Sequence, residues 1–263
     1  MAPATATLYH NTYSICSIMV RQTVAIRGQA KNADSEITIT EQAVDIFNEE
    51  QFSEHFLCEI NPLGQVPVLV SNALAKPIAD SLEITHFLAE RYPSLIPSSH
   101  KEQITALLKD LHALNYFSLS FPGREHVAEG FKQSVFKRLA HDDISPRYRD
   151  ALTFKLGVLE RDKVGGLKPG VPEIMSKQAR ALMERFEQLI TWPPAQGEEA
   201  ESWLFGLPHP TALDYHLAVF IARMLDVERD DVIPEKVRKY GARVTQTTEW
   251  KAVMQGRKTM VKK

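Results

Sequence analysis

Hydrophobic positions in the first third of the chain switch between a period of two and a period near 3.6, whereas beyond Tyr92 only the longer period persists. Residues 5–9 predict a short strand, followed by a polar turn over 10–13. Ile18, Met19, Gln22, Val24 and Ile26 then predict a helix from about Cys16, ended by Gly28. Ile37 and Ile39 alternate with polar neighbours, so residues 36–40 and 44–47 read as pieces of a second strand. Residues 48–60 form a short amphipathic segment carrying Phe52, Phe56, Leu57 and Ile60. Val66, Val68, Leu69 and Val70 make an apolar, β-branched run around Pro67, a residue that fits only a strand start or edge. Leu82, Ile84, Phe87 and Leu88 predict a helix over 80–92.

The remainder has almost no strand pattern. Residues 101–120 carry Ile104, Leu107, Leu108, Leu111 and Leu114 at helical spacing, and Ala181, Leu182, Phe186 and Leu189 repeat it. Residues 145–164 form a long amphipathic stretch closed by Gly165 and Gly166. Loops are expected at 165–172 and 191–202, and the basic end at 256–263 reads as a solvated tail. Thr211 with Asp214 three residues on is a capping-box-like helix start before an apolar run, a structural role. The pattern divides the chain into an α/β unit over 1–92, a Pro- and Ser-rich linker over 93–100, and an all-α region over 101–263.

Composition adds few constraints. With 263 residues, 44% hydrophobic and 24% charged, the chain is ordinary globular protein, and a net charge of −2 offers no field for nucleic acid or an acidic membrane. Two cysteines, Cys16 and Cys58, on different predicted elements make no disulfide framework and suggest a reducing compartment. The N-terminus lacks the charged start and apolar stretch of a secretory signal, and no apolar run approaches membrane-spanning length, so the expected location is cytoplasmic. No metal-ligand cluster, phosphate loop or hydrolase elbow occurs, and no metal is expected.

Candidate chemistry gathers at residues 61–81. If the bond before Pro67 is cis, which is mainly a proline property and typically a deliberate feature of a tight turn, the Val66 N–H and C=O turn outward and are free to pair with an extended peptide. Asp80 and Ser81 open the following helix, where unpaired N–H groups and a positive dipole end favour a carboxylate. Together they suit the two ends of a small peptide. Gly64, Gln65, Val66, Pro67, Val68 and Leu69 followed by Asp80 and Ser81 resemble the glutathione-binding half of the glutathione transferase superfamily. The resemblance implies a thioredoxin-like N-terminal domain with a mixed sheet, an all-helical C-terminal domain, a homodimer, and glutathione as co-substrate held by Gln65, Val66, Pro67, Asp80 and Ser81.

Ser14, Cys16, Ser17, Val20 and Arg21 are similar to the zeta-class form of that family's first loop and helix. This implies that Ser14 donates a hydrogen bond to the glutathione sulfur and favours its thiolate; serine also commonly just caps a helix. Tyr13 is a second candidate for the donor, and Cys16 a thiol lining the site. Phi-like relatives hold the glycyl carboxylate with two basic residues where this chain has Phe52 and Ser53, and His55 is a weak substitute. Asn115, Tyr116, Phe117, Ser118, Phe121 and Arg124 follow the linker and are candidates for an apolar second-substrate pocket, ordinary core being the alternative for the phenylalanines.

The function so implied is attack of activated glutathione on a hydrophobic electrophile, aromatic or quinone-like by a looser likeness to transferase-like proteins of fungal aromatic polyketide pathways. Two alternatives stay open: glutathione-dependent cis-trans isomerisation of zeta type, and a non-catalytic interaction module on the same fold.

Overall fold

The computed structural model describes residues 4–191 and 202–261. The interior of the loop expected at 191–202, the first three residues and the last two of the basic tail lie outside the described residues.

The N-terminal unit is built on β1 (Ala4–His10), whose inward residues Ala6 and Leu8 are buried. It pairs in parallel with β2 (Ile37–Ala43), from Ala4 opposite Ile37 to His10 opposite Ala43. It pairs antiparallel with β3 (Val68–Ser71), Leu8 opposite Leu69. A mixed sheet of order β2-β1-β3 results among the described residues, extended past β3 only by an isolated bridge from Leu69 to Ile78. Parallel pairing of consecutive strands requires a crossover, and α1 (Ile15–Ala25) supplies it. Val20 from α1 and Ile84 and Leu88 from α2 (Ser81–Arg91) cover one face of the sheet, together with Tyr92. Val44, Phe56 and Val68 fill the other.

The second strand is one piece, not two. Residues 44–47 leave the ladder because Asp45 Oδ1 accepts from the amides of Phe47 and Asn48 and closes a turn. Residues 48–60 are likewise no single helix: Glu50–Phe52 is a 3-10 turn, and Phe56–Ile60 a wide turn with i to i+5 bonds.

Residues 93–100 form two 3-10 turns, Pro93–Leu95 and Ser98–His100, and helices make up most of the chain beyond them. The run over 101–120 divides into α3 (Lys101–His112) and α4 (Tyr116–Ser120), because the Asn115 side chain accepts from the amides of Phe117 and Ser118 and starts a new helix. α5 (Glu125–Leu139) and α6 (Pro146–Leu159) form a hairpin. α6 runs on through a wide turn, Glu160–Val164, and a 3-10 turn, Gly165–Leu167, into α7 (Val171–Leu189), so most of the loop expected at 165–172 is helical.

The centre is α8 (Ala212–Asp226), buried on every side from Ala212 to Ile221 and flanked by α9 (Glu235–Val244) and α10 (Thr248–Met254). A largely apolar helix buried on every side must be enclosed by others, and its few polar side chains, Asp214, His216 and Arg223, are buried with it. It shares its core with Ile15, Ile18 and Met19 of α1, which belongs to both halves of the molecule. Asp214 acts as the sequence predicts: its Oδ2 accepts from the Thr211 amide at 2.7 Å and hydroxyl at 2.6 Å, while Oδ1 accepts from the Leu204 amide and the Tyr240 hydroxyl. Among the described residues no helix is long and apolar enough to cross a membrane.

Candidate functional site

Asn11 fixes the turn into α1, accepting from the Tyr13 amide at 2.9 Å and donating to the Val44 carbonyl at 2.9 Å. Ser14 is the N-cap: its Oγ accepts from the Ser17 amide at 3.3 Å and donates to the Val66 carbonyl at 3.4 Å. The donated bond is long, so its proton is lightly held. The capping role and a place in the site coexist in one hydroxyl.

The Val66-Pro67 peptide bond is cis, and Pro67 stands just before β3. The preceding turn needs Gly64, whose φ is +56° and whose added Cβ would lie 3.1 Å from the Gln51 carbonyl oxygen and 3.0 Å from Leu57. The Val66 carbonyl is not left free as the sequence suggests; it takes the Ser14 proton.

Asp80 caps α2, its Oδ1 accepting from the amides of Leu82 at 2.8 Å and Glu83 at 2.9 Å. Ser81 is buried beneath it with its hydroxyl toward the Cys16 sulfur, where it favours the thiolate, so the N-termini of α1 and α2 meet. Burial pushes the Cys16 thiol up, while the nearby cations Lys163 and Arg223 pull it down less strongly. Cys16 therefore stays a neutral thiol near pH 7.

The helical region closes over this meeting point. Gln65 Nε2 donates to Asp162 Oδ2 at 3.3 Å. The Lys163 ammonium lies 4.2 Å from the centre of the Phe117 ring, and burial lowers it to about 8, partly offset by Cys16 and Asp162. Arg223 from α8 donates to the Tyr13 carbonyl at 2.7 Å and the Thr259 carbonyl at 2.6 Å, tying the α1 entrance to the C-terminal end. Burial lowers it to about 10. Neither Lys163 nor Arg223 is a candidate by sequence motif; a lone Arg inside the apolar run of α8 is the signal that could have found the second.

The other candidates divide. Tyr13 packs its ring edge-on against Phe47, with 5.7 Å between ring centres. Tyr116 is near Cys16, but its hydroxyl donates to the Leu111 carbonyl at 2.8 Å and burial holds it well above the usual phenol range. Asn115 spends its amide on capping α4 and on the Asp162 carbonyl at 3.2 Å. Phe117 is in a small core with Ala128 and Leu167, and Arg124 is exposed at the start of α5.

Phe52 and Ser53 hold no carboxylate clamp. Phe52 is buried against Tyr148 and Leu152 of α6, and the Tyr148 hydroxyl donates to its carbonyl at 2.6 Å. Lys155 reaches over the same ring to donate to the carbonyls of Leu63 at 2.5 Å and Gly64 at 3.2 Å, while His55 is exposed. Among the described residues no cluster of three or more His, Cys, Asp and Glu could hold a metal ion.

No protein-family model matches the chain, and no curated protein does. Solved structures do. A bacterial zeta-class glutathione transferase, maleyl pyruvate isomerase, superposes with a TM-score of 0.58 at 16% identity, covering 96% of this chain and 99% of that one. Glutathione transferase F2 from Populus trichocarpa gives 0.57 at 16%, covering 96% and 98%. Ure2p in complex with glutathione gives 0.60 at 14%, covering 94% and 97%. At these identities the likeness establishes architecture: this chain has the glutathione transferase fold, a mixed-sheet thioredoxin-like unit followed by a helical region.

Proposed function

We propose that the protein is a glutathione-dependent enzyme in which Ser14 stabilises the thiolate of bound glutathione for attack on a hydrophobic electrophile. The observation that carries this reading is the position of the Ser14 hydroxyl, at the N-terminus of α1 and 3.4 Å from the Val66 carbonyl beside the cis proline. A peptide running along Val66 would bring a cysteinyl sulfur to that hydroxyl, which would leave a long bond to the carbonyl for a charge-assisted one to sulfur. The dipole of α1 adds to the same effect. Asp80 and the start of α2 would take the γ-glutamyl end. Glutathione is present in the Ure2p structure of the same fold, which supports the choice of ligand.

The electrophile is proposed as an aromatic or quinone-like compound. A second reading, cis-trans isomerisation of a conjugated double bond with glutathione regenerated, is favoured by Cys16 in the site and by the isomerase among the fold neighbours. Net consumption of glutathione separates them.

The test is a difference ultraviolet titration of glutathione bound to the wild type and to Ser14→Ala, reading thiolate absorbance against pH. A bound thiol titrating well below free glutathione, and doing so only in the wild type, is expected. Binding with an unshifted thiol would overturn the role of Ser14, and absence of binding at millimolar glutathione would overturn the function.

A further inference from the structure

A chain of side-chain hydrogen bonds leaves the candidate site at Ser81 and runs into the core. Ser81 Oγ lies 3.2 Å from His112 Nδ1, His112 Nε2 lies 2.9 Å from His216 Nδ1, and His216 Nε2 lies 2.9 Å from Thr23 Oγ1 and 3.5 Å from Thr85 Oγ1. His216 is fully buried at the centre of α8, where an unpaired imidazole would be costly. Burial lowers His112 to about 4 and His216 well below its ordinary value, so both rings are neutral near pH 7.

A neutral imidazole has one N–H and one bare nitrogen, so the bond between the rings leaves two arrangements. In the first, His112 donates from Nε2; its bare Nδ1 takes the Ser81 proton, and His216 donates onward to Thr23. In the second, His216 donates from Nδ1 to His112; His112 then donates to Ser81, and the Ser81 proton is released toward the site. The far end accepts either arrangement. Thr23 and Thr85 each have a carbonyl one turn back, Met19 at 3.1 Å and Ser81 at 2.8 Å, and can turn their protons there or to His216. Both arrangements hold one proton on each ring and hydroxyl, so exchange requires no net uptake.

We propose that the ligand group seated at Ser81 selects between these two arrangements, making His112 and His216 positioning residues that set whether Ser81 meets that ligand as donor or acceptor. Without ligand, the strongest acceptor facing the Ser81 hydroxyl is the imidazole nitrogen of His112 at 3.2 Å, which holds the first. A carboxylate accepts from Ser81 and selects the second. The ligand named rests on the glutathione reading; the coupling between the rings does not.

The experiment uses the full chain with ¹⁵N-labelled histidine, assigning tautomers from two-bond nitrogen–proton correlations, with binding heat measured on the same sample. Expected are Nε2–H on both rings without ligand and Nδ1–H on both at saturating glutathione. Opposite tautomers on the two rings in any state, or glutathione binding with both unchanged, would overturn the proposal. If glutathione gives no heat, the functional reading fails by itself, and the ligand-free tautomers decide the chain: matched rings support it and opposed rings sink it. His216→Phe should weaken glutathione about tenfold and leave the His112 tautomer fixed, while His216→Gln, whose amide can bridge both neighbours, should restore affinity to within about threefold. Equal losses in both variants, with melting curves showing both folded, would count against the chain.

Discussion

A serine at a helix N-cap spends its oxygen on a backbone amide and keeps its proton, and Ser14 commits that proton only to a carbonyl 3.4 Å away. Its capping role and the role proposed for it toward the glutathione sulfur are separable by measurement. Ser14→Ala should lower stability by about 1 kcal/mol in denaturant melts without glutathione, the ordinary value of a lost cap, and should lower turnover about 10²-fold, the scale of one missing donor to a developing anion. A stability loss with turnover unchanged would leave Ser14 as a cap alone. Cys16, two residues on, is opposite in character: burial favours its thiol form over the thiolate. Cys16→Ala should therefore keep turnover within about tenfold of wild type, and iodoacetamide should alkylate Cys16 slowly at pH 7.5 and faster as pH rises. Fast alkylation at neutral pH would make Cys16 a nucleophile in its own right.

Elements that announce themselves by local chemistry are the ones the sequence predicts well. The proline before β3, the Asp80 cap of α2 and the Thr211–Asp214 pair each draw on neighbours within a few residues, and each forms as read. Asp214 shows how much one cap can carry: it is fully buried, its carboxyl is pushed up by burial, and it still receives four hydrogen bonds. Asp214→Ala would strand the Leu204 and Thr211 amides and the Tyr240 hydroxyl in a dry core. A loss of at least about 3 kcal/mol is expected in equilibrium unfolding, and Asp214→Asn, which keeps an acceptor, should lose less. Equal losses would show that charge, not acceptance, matters there. The parts not legible depend on distant partners. Nothing near Phe52 in sequence says that α6 will cover it, and nothing near His112 says that His216, 104 residues later, will meet it at 2.9 Å.

Across the whole molecule, the α5–α6 hairpin grips the segment leading to the cis proline. Arg138 meets Glu49 at 2.7 Å, Ser145 meets Glu54 at 2.5 Å, and Phe52 and Leu57 sink among Val135, Leu152 and Leu159. The innermost member is Lys155, 2% exposed, with its ammonium on the carbonyls of Leu63 and Gly64. Burial lowers it to about 7, with the Lys163 charge as a second cause. An unfolded lysine titrates near 10.5, so between about pH 7 and 10.5 the unfolded chain holds a proton that the folded chain has released. The unfolded state binding more protons means that stability rises with pH across that window, by at most about 1.4 kcal/mol per pH unit for this one group. Below about pH 7 the folded state carries the charge and the full cost of burying it. Lys155→Met keeps the length of the side chain over Phe52 and removes the titration. Whatever its absolute stability after losing two hydrogen bonds, its stability should climb less steeply than that of the wild type between pH 7 and 10 in urea melts; the slope that survives is the sum of Lys163, lowered to about 8, which adds to it, and the Cys16 and Cys58 thiols, raised by burial, which subtract from it. Parallel curves for the two proteins would mean that the Lys155 amine is solvated in solution and that the hairpin does not seal the turn before the cis proline.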